Sequence, residues 1–311
     1  MLAVKILTPK LILHKRSLRL MGNPFEISIV SSNPNWAEDR IDDAVAEIIR
    51  VEKLLSTFSD DSSINEINRN AGIKPVKTNS EIFRLISRSL QISELTDGAF
   101  DISYNAPIIE LNGADNTFVK VAAKTLVNYQ SIVLDAKAQT VFLREPEMRI
   151  GFGANSMGYA ADRAKLILQM HGVNSGVVNA GGDLLTWGLQ PDNRPWTIET
   201  ADLSQKLKLF ANIDISNMAV ATSVNTEHFS PFINKNYLND INAKSGFPVS
   251  GINSVTIISP SAELADAMAT PVIMMGINAG LYLINQLNQL ACIIIDDHER
   301  VYTSKDINLN N

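Results

Sequence analysis

The chain has 311 residues, of which 45% are hydrophobic and 19% charged, the balance of a globular protein with enough apolar material for a core. Its net charge of -6 argues against nucleic acid as the main partner, because phosphate binding needs a basic face. Cys292 is the single cysteine, so an intramolecular disulfide is impossible and a cysteine-based zinc cluster is not expected.

Residues 1–22 carry several basic side chains and Pro9, and none of their apolar stretches is long enough to span a bilayer. They also lack an uninterrupted signal core followed by a small-residue cleavage site. We therefore expect a cytoplasmic protein without a membrane span. Residues 1–17 are interpreted as an extension or an edge segment.

Apolar side chains at helical spacing predict several helices, and glycine follows two of them as a stop signal. The predicted helices cover residues 37–58, 79–98, 158–172, 261–276 and 278–288. Pro271 predicts an interruption or a kink in the fourth helix.

Alternating or continuous apolar runs predict strands, most of them in the middle of the chain. The predicted strands cover residues 24–32, 131–135, 140–145, 175–179, 184–188, 195–202, 217–223, 253–259 and 291–297. Long helices early and paired strands later favour an α+β fold with mixed or antiparallel sheets and flanking helices. No composition shift marks a linker, so we expect residues 1–311 to form a single domain.

The stretch 176-GVVNAGGDLLTWG-188 places two glycines and an acid, Gly181, Gly182 and Asp183, between two apolar runs. A hairpin corner explains this, since glycine allows positive φ and aspartate is common in turns. A second explanation is that bare backbone lets a ligand approach closely and exposes amides that bind phosphate. The stretch alone favours the hairpin corner.

Asp266 and Thr270 are four residues apart and share one face of a predicted helix. A carboxylate and a hydroxyl are hard oxygen ligands that suit Mg²⁺, which also takes phosphate oxygens and water. Alternatively, Asp266 is an acid early in a helix and Thr270 bonds back to the preceding turn. In isolation the second, purely structural explanation is favoured.

Three other segments contain candidate binding residues. The small-residue loop in 151-GFGANSMGYAADRA-164 runs into a helix and could bind an anion, but matches neither the P-loop nor the dinucleotide fingerprint. Phe58, in a serine-rich segment, could stack on a flat ligand or fill the core. Asp101 ends the run Asp-Gly-Ala-Phe-Asp.

The order of these motifs is more informative than any one of them. Along the chain they run Ser-x-Phe-Ser, Asp-Gly-Ala-Phe-Asp, Gly-Tyr-Ala-x-Asp-Arg-Ala, Val-Asn-x-Gly-Gly-Asp, Ala-Thr-Ser, Ser-Gly-x-Pro-Val and Ala-Asp-Ala-x-Ala-Thr. The series covers nearly the whole chain and resembles the FAD:protein FMN transferases, the ApbE family of flavin transferases.

The resemblance implies a T-fold-like α+β fold, one FAD in a cleft, Mg²⁺ on the FAD pyrophosphate, and transfer of FMN to a Ser or Thr hydroxyl of a target protein. It implies Asp266, Thr270 and a backbone carbonyl near Ser156 as metal ligands, and Ser223 beside the reacting phosphate. The remaining residues implied for the FAD pocket are Met21, Phe58, Asp101, Asn179, Ala180, Gly181, Gly182, Asp183 and Thr222.

The chain also departs from the pattern of the family it resembles. Met157 stands where a lysine is expected, and Val224 replaces the glycine after Thr-Ser. In 239-NDINAKSG-246, Asn239 takes the catalytic place of a histidine. The other changes in that loop put Asn242, Ala243 and Ser245 in place of an acid, a proline and a threonine.

An asparagine can hydrogen-bond but cannot take a proton near neutral pH. The resemblance therefore implies an intact metal half of the site and a damaged proton-transfer half. His228 could replace the missing imidazole, although a histidine in a surface loop is the simpler interpretation.

Our leading hypothesis is a magnesium-dependent FMN transferase, slow or divergent, whose partners are FAD and a flavin-accepting protein. One alternative is a catalytically impaired flavin-binding or partner-binding protein. Another is an FAD hydrolase that releases FMN and AMP.

Overall fold

The computed structural model describes residues 10–57, 59, 61–105, 108–112, 117–121, 127–153, 155–198, 212–224 and 251–305. The chain divides into two compact units. The first, which we call the sheet unit, comprises residues 1–50 and 157–311, and the second, the inserted unit, comprises residues 51–156. The expectation of a single domain stays a prediction.

Helices form where apolar side chains recur at helical spacing, and side chains cap some of them. In the described residues they are α1 Pro34–Leu55, α2 Ser63–Arg69, α3 Ser80–Leu95, α4 Ser156–Met170, α5 Ala262–Met275 and α6 Ile277–Ile284. Asn79 caps α3 by accepting the amide of Ile82 at 2.9 Å, and Ser62 caps α2 in the same way. The five predicted helices are therefore confirmed, while the short α2 was not predicted.

The interruption expected at Pro271 does not occur, because α5 continues through this residue to Met275. Pro271 is buried, and the helix lies against strands of the large sheet. Packing of this face offsets the hydrogen bond that proline cannot donate.

The strands, in chain order, are β1 Ile12–Leu20, β2 Asn23–Ser31, β3 Val76–Lys77, β4 Ser103–Asn105, β5 Ile108–Asn112, β6 Thr117–Val121, β7 Ile132–Asp135, β8 Thr140–Leu143, β9 Met148–Ile150, β10 Gly176–Ala180, β11 Asp183–Trp187, β12 Ala219–Val224, β13 Ile252–Ser259, β14 Ala291–Asp296 and β15 Val301–Thr303. Every strand pairing in the described part is antiparallel. The expected α+β fold with antiparallel sheets is confirmed.

The strand predictions need one addition and one correction. The N-terminal segment contains β1, an edge strand that was not predicted as a strand because polar residues interrupt its apolar pattern. The predicted strand 195–202 is wrong in its described part, where Thr197 forms only an isolated bridge to Asp214. Trp196, beside that bridge, is instead buried in the core.

The sheet unit contains an eight-stranded sheet with the order β1-β2-β10-β11-β12-β13-β14-β15. One apolar cluster combines side chains from several strands and from the segments before β12, namely Val177, Leu184, Trp196, Ile198, Ile215, Val220, Ile258 and Ile293. Helix α5 packs on β11, β12 and β13. In the chain segments that can be described, no helix is both long enough and apolar enough to cross a membrane.

Strand register brings several predicted site segments to one end of this sheet. Phe25 near the start of β2 pairs with Ala180 at the end of β10, and Ala180 pairs with Asp183 at the start of β11. Val224 at the end of β12 pairs with Ser254 near the start of β13. The hairpin turns at 21–22 and 181–182 and the end of β12 therefore lie along the same edge.

The inserted unit contains α2, α3, the three-stranded sheet β3-β8-β7 and the pairs β4-β9 and β5-β6. Asn68 holds β9 in place, since its side-chain amide donates to the Ile150 carbonyl at 3.0 Å and its oxygen accepts the Ile150 amide at 2.8 Å. This pair of bonds mimics a strand neighbour for β9.

Candidate functional site

The glycine pair at the end of β10 forms a two-residue hairpin turn. Gly181 and Gly182 have φ values of 69° and 112°, which glycine adopts without the steric cost other residues meet. The Asn179 side-chain oxygen accepts the Gly182 amide at 2.9 Å, and the Gly181 amide donates to the Pro24 carbonyl at 2.8 Å. The hairpin prediction is thus confirmed, and the turn is tied to the neighbouring strand.

A side chain at Gly181 would also make a tight contact with its surroundings. A Cβ built on this residue would lie 3.3 Å from the Sδ atom of Met157 and 3.9 Å from Cβ of Asn23. Met157 is half-buried in the first turn of α4 and presents an uncharged thioether to the turn. The position at which the sequence lost an expected cation therefore adjoins the glycine turn.

The neighbouring turn between β1 and β2 contains Met21, whose φ of 50° is uncommon for a residue with a side chain. Its carbonyl accepts the side-chain amide of Asn23 at 3.0 Å. Left-handed backbone of this kind costs on the order of 1–2 kcal/mol, so the surrounding structure must hold it in place. Its predicted contact with the flavin stays a prediction.

Asp183 begins β11 directly after the glycine turn and is half-buried. Its Oδ1 accepts the backbone amide of Thr222 at 3.0 Å, and the Thr222 hydroxyl lies 2.9 Å from that of Thr256. Burial raises the pKa of Asp183 to about 6, although the Thr222 amide acts in the opposite direction. The site thus holds a carboxylate whose charge is poorly solvated.

Asp266 lies one turn into α5 and is also half-buried. Burial raises its pKa to about 7, the negative charge of Asp183 adds to the rise, and an amide of Gly158 at 3.2 Å from Oδ2 opposes it. The two carboxylates are therefore close enough to repel each other. In the part of the chain that the structure describes, neither forms an ion pair with a basic side chain.

Thr270, one helical turn beyond Asp266, is exposed, and its Oγ1 lies 3.1 Å from Oγ of Ser223 at the end of β12. The structure thus brings together predicted site residues from three elements, β11, β12 and α5. Carboxylate and hydroxyl oxygens are the ligands that Mg²⁺ prefers, and a divalent cation would offset the repulsion between the two acids. The donor set therefore fits a hard divalent cation.

Other predicted site residues are not part of this group as described. Phe58 and Asn239 lie outside the described residues, as do His228, Asn242, Ala243 and Ser245. Ser156, the first residue of α4, belongs to the inserted unit, and its amide donates to the Phe152 carbonyl at 2.8 Å. The roles that the resemblance implies for these residues stay predictions.

Asp101 also belongs to the inserted unit, where its carboxylate has a local structural role. Its two oxygens accept the backbone amides of Ser103 at 2.7 Å and Tyr129 at 2.8 Å. These bonds connect the chain before β4 with the turn before β7. A place for Asp101 in the FAD pocket stays a prediction.

Gly158 is a further site residue, for which no role was expected from the sequence. Its amide binds Asp266, and a Cβ in its place would lie 2.3 Å from the Ala262 carbonyl oxygen, a distance no side chain tolerates. Glycine in the first turn of a helix, where it lowers helix stability, was the available signal. The residue allows α4 and α5 to approach each other at backbone distance.

A second group, formed by Asp296, Asp297 and His298 at the end of β14, has side-chain atoms close enough to hold a metal. Asp296, however, already accepts the amides of His298 and Arg300, the Arg300 guanidinium and the Tyr302 hydroxyl. Burial alone would raise its pKa, but these donors lower it to about 2. Asp296 thus stabilises the turn between β14 and β15.

Comparison with known proteins agrees with this architecture. Residues 21–294 match the model of the ApbE family. An FAD:protein FMN transferase of Klebsiella pneumoniae (strain 342) is 27% identical and aligns over 94% of this chain and 92% of its own length. The protein of the same name from Treponema pallidum (strain Nichols) is 25% identical over 94% of this chain and 87% of its own length.

Solved structures of similar proteins share the fold. The ApbE protein of Thermotoga maritima superposes with a TM-score of 0.73 at 23% identity, covering 94% of this chain and 97% of its own. The flavin transferase ApbE from Vibrio cholerae gives a TM-score of 0.73 at 20% identity, covering 95% and 98%. Because the family model spans most of the sequence and the fold agrees, the chain belongs to the ApbE family.

Proposed function

We propose that this protein transfers FMN from FAD to a Ser or Thr hydroxyl of a target protein, with Mg²⁺ bound at Asp266 and Thr270. The observation that carries this proposal is the convergence of Asp183, Ser223, Asp266 and Thr270 at one end of the large sheet. It occurs in a chain whose curated relatives are named FAD:protein FMN transferase.

In this proposal the metal half of the site consists of Asp266 and Thr270, with a backbone carbonyl near Ser156 as a further ligand. Asp183 adds a second negative charge beside Asp266. Ser223 orients the Thr270 hydroxyl through the contact at 3.1 Å. Bound Mg²⁺ would neutralise negative charge on the FAD pyrophosphate, which phosphoryl transfer requires.

The flavin half of the proposed site uses the two hairpin turns. The run from Asn179 to Asp183, which includes Ala180, Gly181 and Gly182, borders the dinucleotide with bare backbone, since no side chain of the glycines blocks its approach. Met21 packs on one of the rings, Met157 lines the adjoining wall without a charge, and Thr222 lies beside the phosphates. Phe58 and Asp101 are proposed for this pocket from the resemblance.

In the transfer itself, the acceptor hydroxyl oxygen forms a bond to the phosphorus of the FMN half. The bond between that phosphorus and the oxygen shared with AMP breaks, and AMP leaves. Asn239 can hydrogen-bond to the acceptor but cannot take its proton, which passes to solvent instead. Because a positioned base typically contributes about 10²–10⁴-fold, we propose that this protein is a slow transferase.

Incubation of the full chain with FAD, Mg²⁺ and an acceptor protein of one of the curated relatives tests the proposal. Covalently flavinylated acceptor and AMP should appear in equal amounts, and Asp266→Ala should abolish both products. Asp192→Ala, which removes an exposed carboxylate of the same unit, serves as the matched control and should leave the rate unchanged.

Each alternative function has a distinct outcome in the same experiment. FMN and AMP released without acceptor would identify an FAD hydrolase. Bound FAD without any product would identify an impaired flavin-binding protein. Undiminished activity of the Asp266→Ala variant would contradict the proposed metal ligands.

A further inference from the structure

Helices α4 and α5 are joined by two contacts that involve residues four apart on each helix. Asp162 of α4 binds the first residues of α5, and Gly158 binds Asp266 one turn further along. We propose that Asp162 is a positioning residue that sets the place of Asp266 and Thr270 at the metal site. This inference rests on the proposed function, because it takes those two residues as the metal ligands.

The Asp162 carboxylate accepts three hydrogen bonds from the start of α5. Its Oδ2 accepts the Ser261 hydroxyl at 2.8 Å and the Glu263 amide at 2.9 Å, and its Oδ1 accepts the Ala262 amide at 3.0 Å. Amides in the first turn of a helix have no partner within that helix, and a negative charge is favourable at this end. Asp162 therefore supplies a charged cap from a helix about a hundred residues earlier in the chain.

The second contact fixes the distance between α4 and α5 and the rotation of α5 about its own axis. The Gly158 amide lies 3.2 Å from Asp266 Oδ2, and the Gly158 backbone approaches the Ala262 carbonyl so closely that a Cβ would be 2.3 Å away. With its first turn tied to Asp162, α5 can neither slide nor rotate without breaking these bonds. Thr270 lies on the same face of α5 as Asp266 and would move with it.

Lys165 of α4 also interacts with the charge of Asp162. This lysine is half-buried on α4, and burial lowers its pKa while the negative charge of Asp162 opposes that effect. Removing the charge of Asp162 would thus leave a poorly solvated ammonium group and weaken the acceptor of two first-turn amides of α5, although Ser261 still caps the helix by accepting the Leu264 amide. Asp162 acts on the metal site through α5.

Titration calorimetry of Mg²⁺ into the full chain saturated with FAD tests the inference. Asp162→Asn keeps the size of the side chain but replaces one carboxylate oxygen, a hydrogen-bond acceptor, with an NH₂ group. That group would face the hydrogen-bond donors at the start of α5. We expect it to weaken Mg²⁺ binding about tenfold or more, the usual effect of losing a group that orients a metal ligand. In activity assays, the Mg²⁺ concentration for half-maximal rate should rise more than kcat falls.

Two further variants separate positioning from ordinary helix capping. Asn79→Ala removes the cap of α3 in the inserted unit and should lower the thermal midpoint without changing Mg²⁺ affinity. Asp162→Glu keeps a carboxylate and should recover part of the affinity. Equal Mg²⁺ affinity of Asp162→Asn and wild type, or equal weakening by Asn79→Ala, would overturn the inference.

A measurement on the wild-type protein covers the case in which Asp162→Asn does not fold. With FAD present, adding Mg²⁺ should slow hydrogen exchange of the Ala262 and Glu263 amides, because metal binding and this contact stabilise the same placement of α5. The Ile82 amide, capped by Asn79, is the control. Unchanged exchange at Ala262 and Glu263 would overturn the inference.

These measurements distinguish failure of the inference from failure of the proposed function. A wild-type protein that binds Mg²⁺ but transfers no FMN contradicts the proposed function alone, and the variants still decide the role of Asp162. A wild-type protein that binds no Mg²⁺ overturns the metal ligands and this inference together.

Discussion

The hydroxyl of Ser223 lies 3.1 Å from the hydroxyl of Thr270, although 47 residues separate them in the sequence. Ser223 is near the end of β12, and Thr270 is on the helix that follows β13 and packs back on both strands. The contact therefore depends on the pairing of β12 with β13 and on the return of α5 over the sheet.

This contact predicts that Ser223 assists Thr270 in metal binding. Thr270→Val, which removes the hydroxyl at nearly constant size, should weaken Mg²⁺ binding more than Ser223→Ala does, and Thr270→Ser should largely retain it. Thr270→Val and Ser223→Ala remove the same hydrogen bond, so their effects on Mg²⁺ binding should not add in the double variant. Calorimetric titration of wild type, Thr270→Val, Ser223→Ala and the double variant measures the coupling, and strictly additive effects would contradict it.

Asp266→Asn should affect stability in opposite directions with and without metal. The pKa of Asp266 is raised from 3.8 to about 7. Its charge therefore leaves the free energy of unfolding unchanged below pH 3.8 and lowers that free energy by the full cost of charge burial above about pH 7. Without metal at pH 8, the variant should be roughly 2–4 kcal/mol more stable than wild type. Chemical denaturation in EDTA measures this difference.

Adding Mg²⁺ to the same pair of proteins provides the control for that prediction. Wild type should gain stability as the metal binds the folded state, while Asp266→Asn should gain little. The idea fails if Asp266→Asn is the less stable protein at pH 8 in EDTA.

Gly181→Ala should weaken FAD binding beyond the effect of backbone strain. Gly172 is a matched control, because it also has a positive φ, 85°, but a Cβ on it would meet no atom within 4 Å. Both alanine variants should lose about 1–2 kcal/mol of stability from the left-handed backbone. Only Gly181→Ala should lower FAD affinity, measured by quenching of flavin fluorescence, and equal affinities would argue against a flavin site at this turn.

Asp296 should protect the fold at low pH. Its pKa is lowered to about 2 in the folded state, so its stabilising effect is present above pH 3.8 and is lost as the pH falls toward 2. Asp296→Asn should therefore destabilise the protein at pH 7 and have much less effect at pH 2. Asp297→Asn, which changes the exposed neighbour, should change stability little at either pH, and unfolding curves across this range provide the comparison.

Local sequence patterns were sufficient to predict most helices and strands and to identify the family. Apolar periodicity located α1, α3, α4 and α5. A capping asparagine marked the start of α3, and the glycine pair marked the turn that follows β10. These patterns were insufficient at residues 195–198, the described part of a predicted strand, which form a buried tryptophan segment with one isolated bridge. A side chain at strand spacing can be buried by a loop as well as by a sheet, so period alone does not separate the two.

The sequence by itself determined the order of the motifs, the turn at Gly181 and Gly182, and the shared helix face of Asp266 and Thr270, because each depends on neighbours within a few residues. Only the tertiary structure decided that Asp183 lies close to Asp266, that Ser223 meets Thr270, and that Gly158 touches α5. These contacts join residues distant in sequence, and they follow from the strand order and from two helices that meet without an intervening side chain. No local propensity encodes such an arrangement, since it minimises the free energy of the whole fold rather than of any one segment.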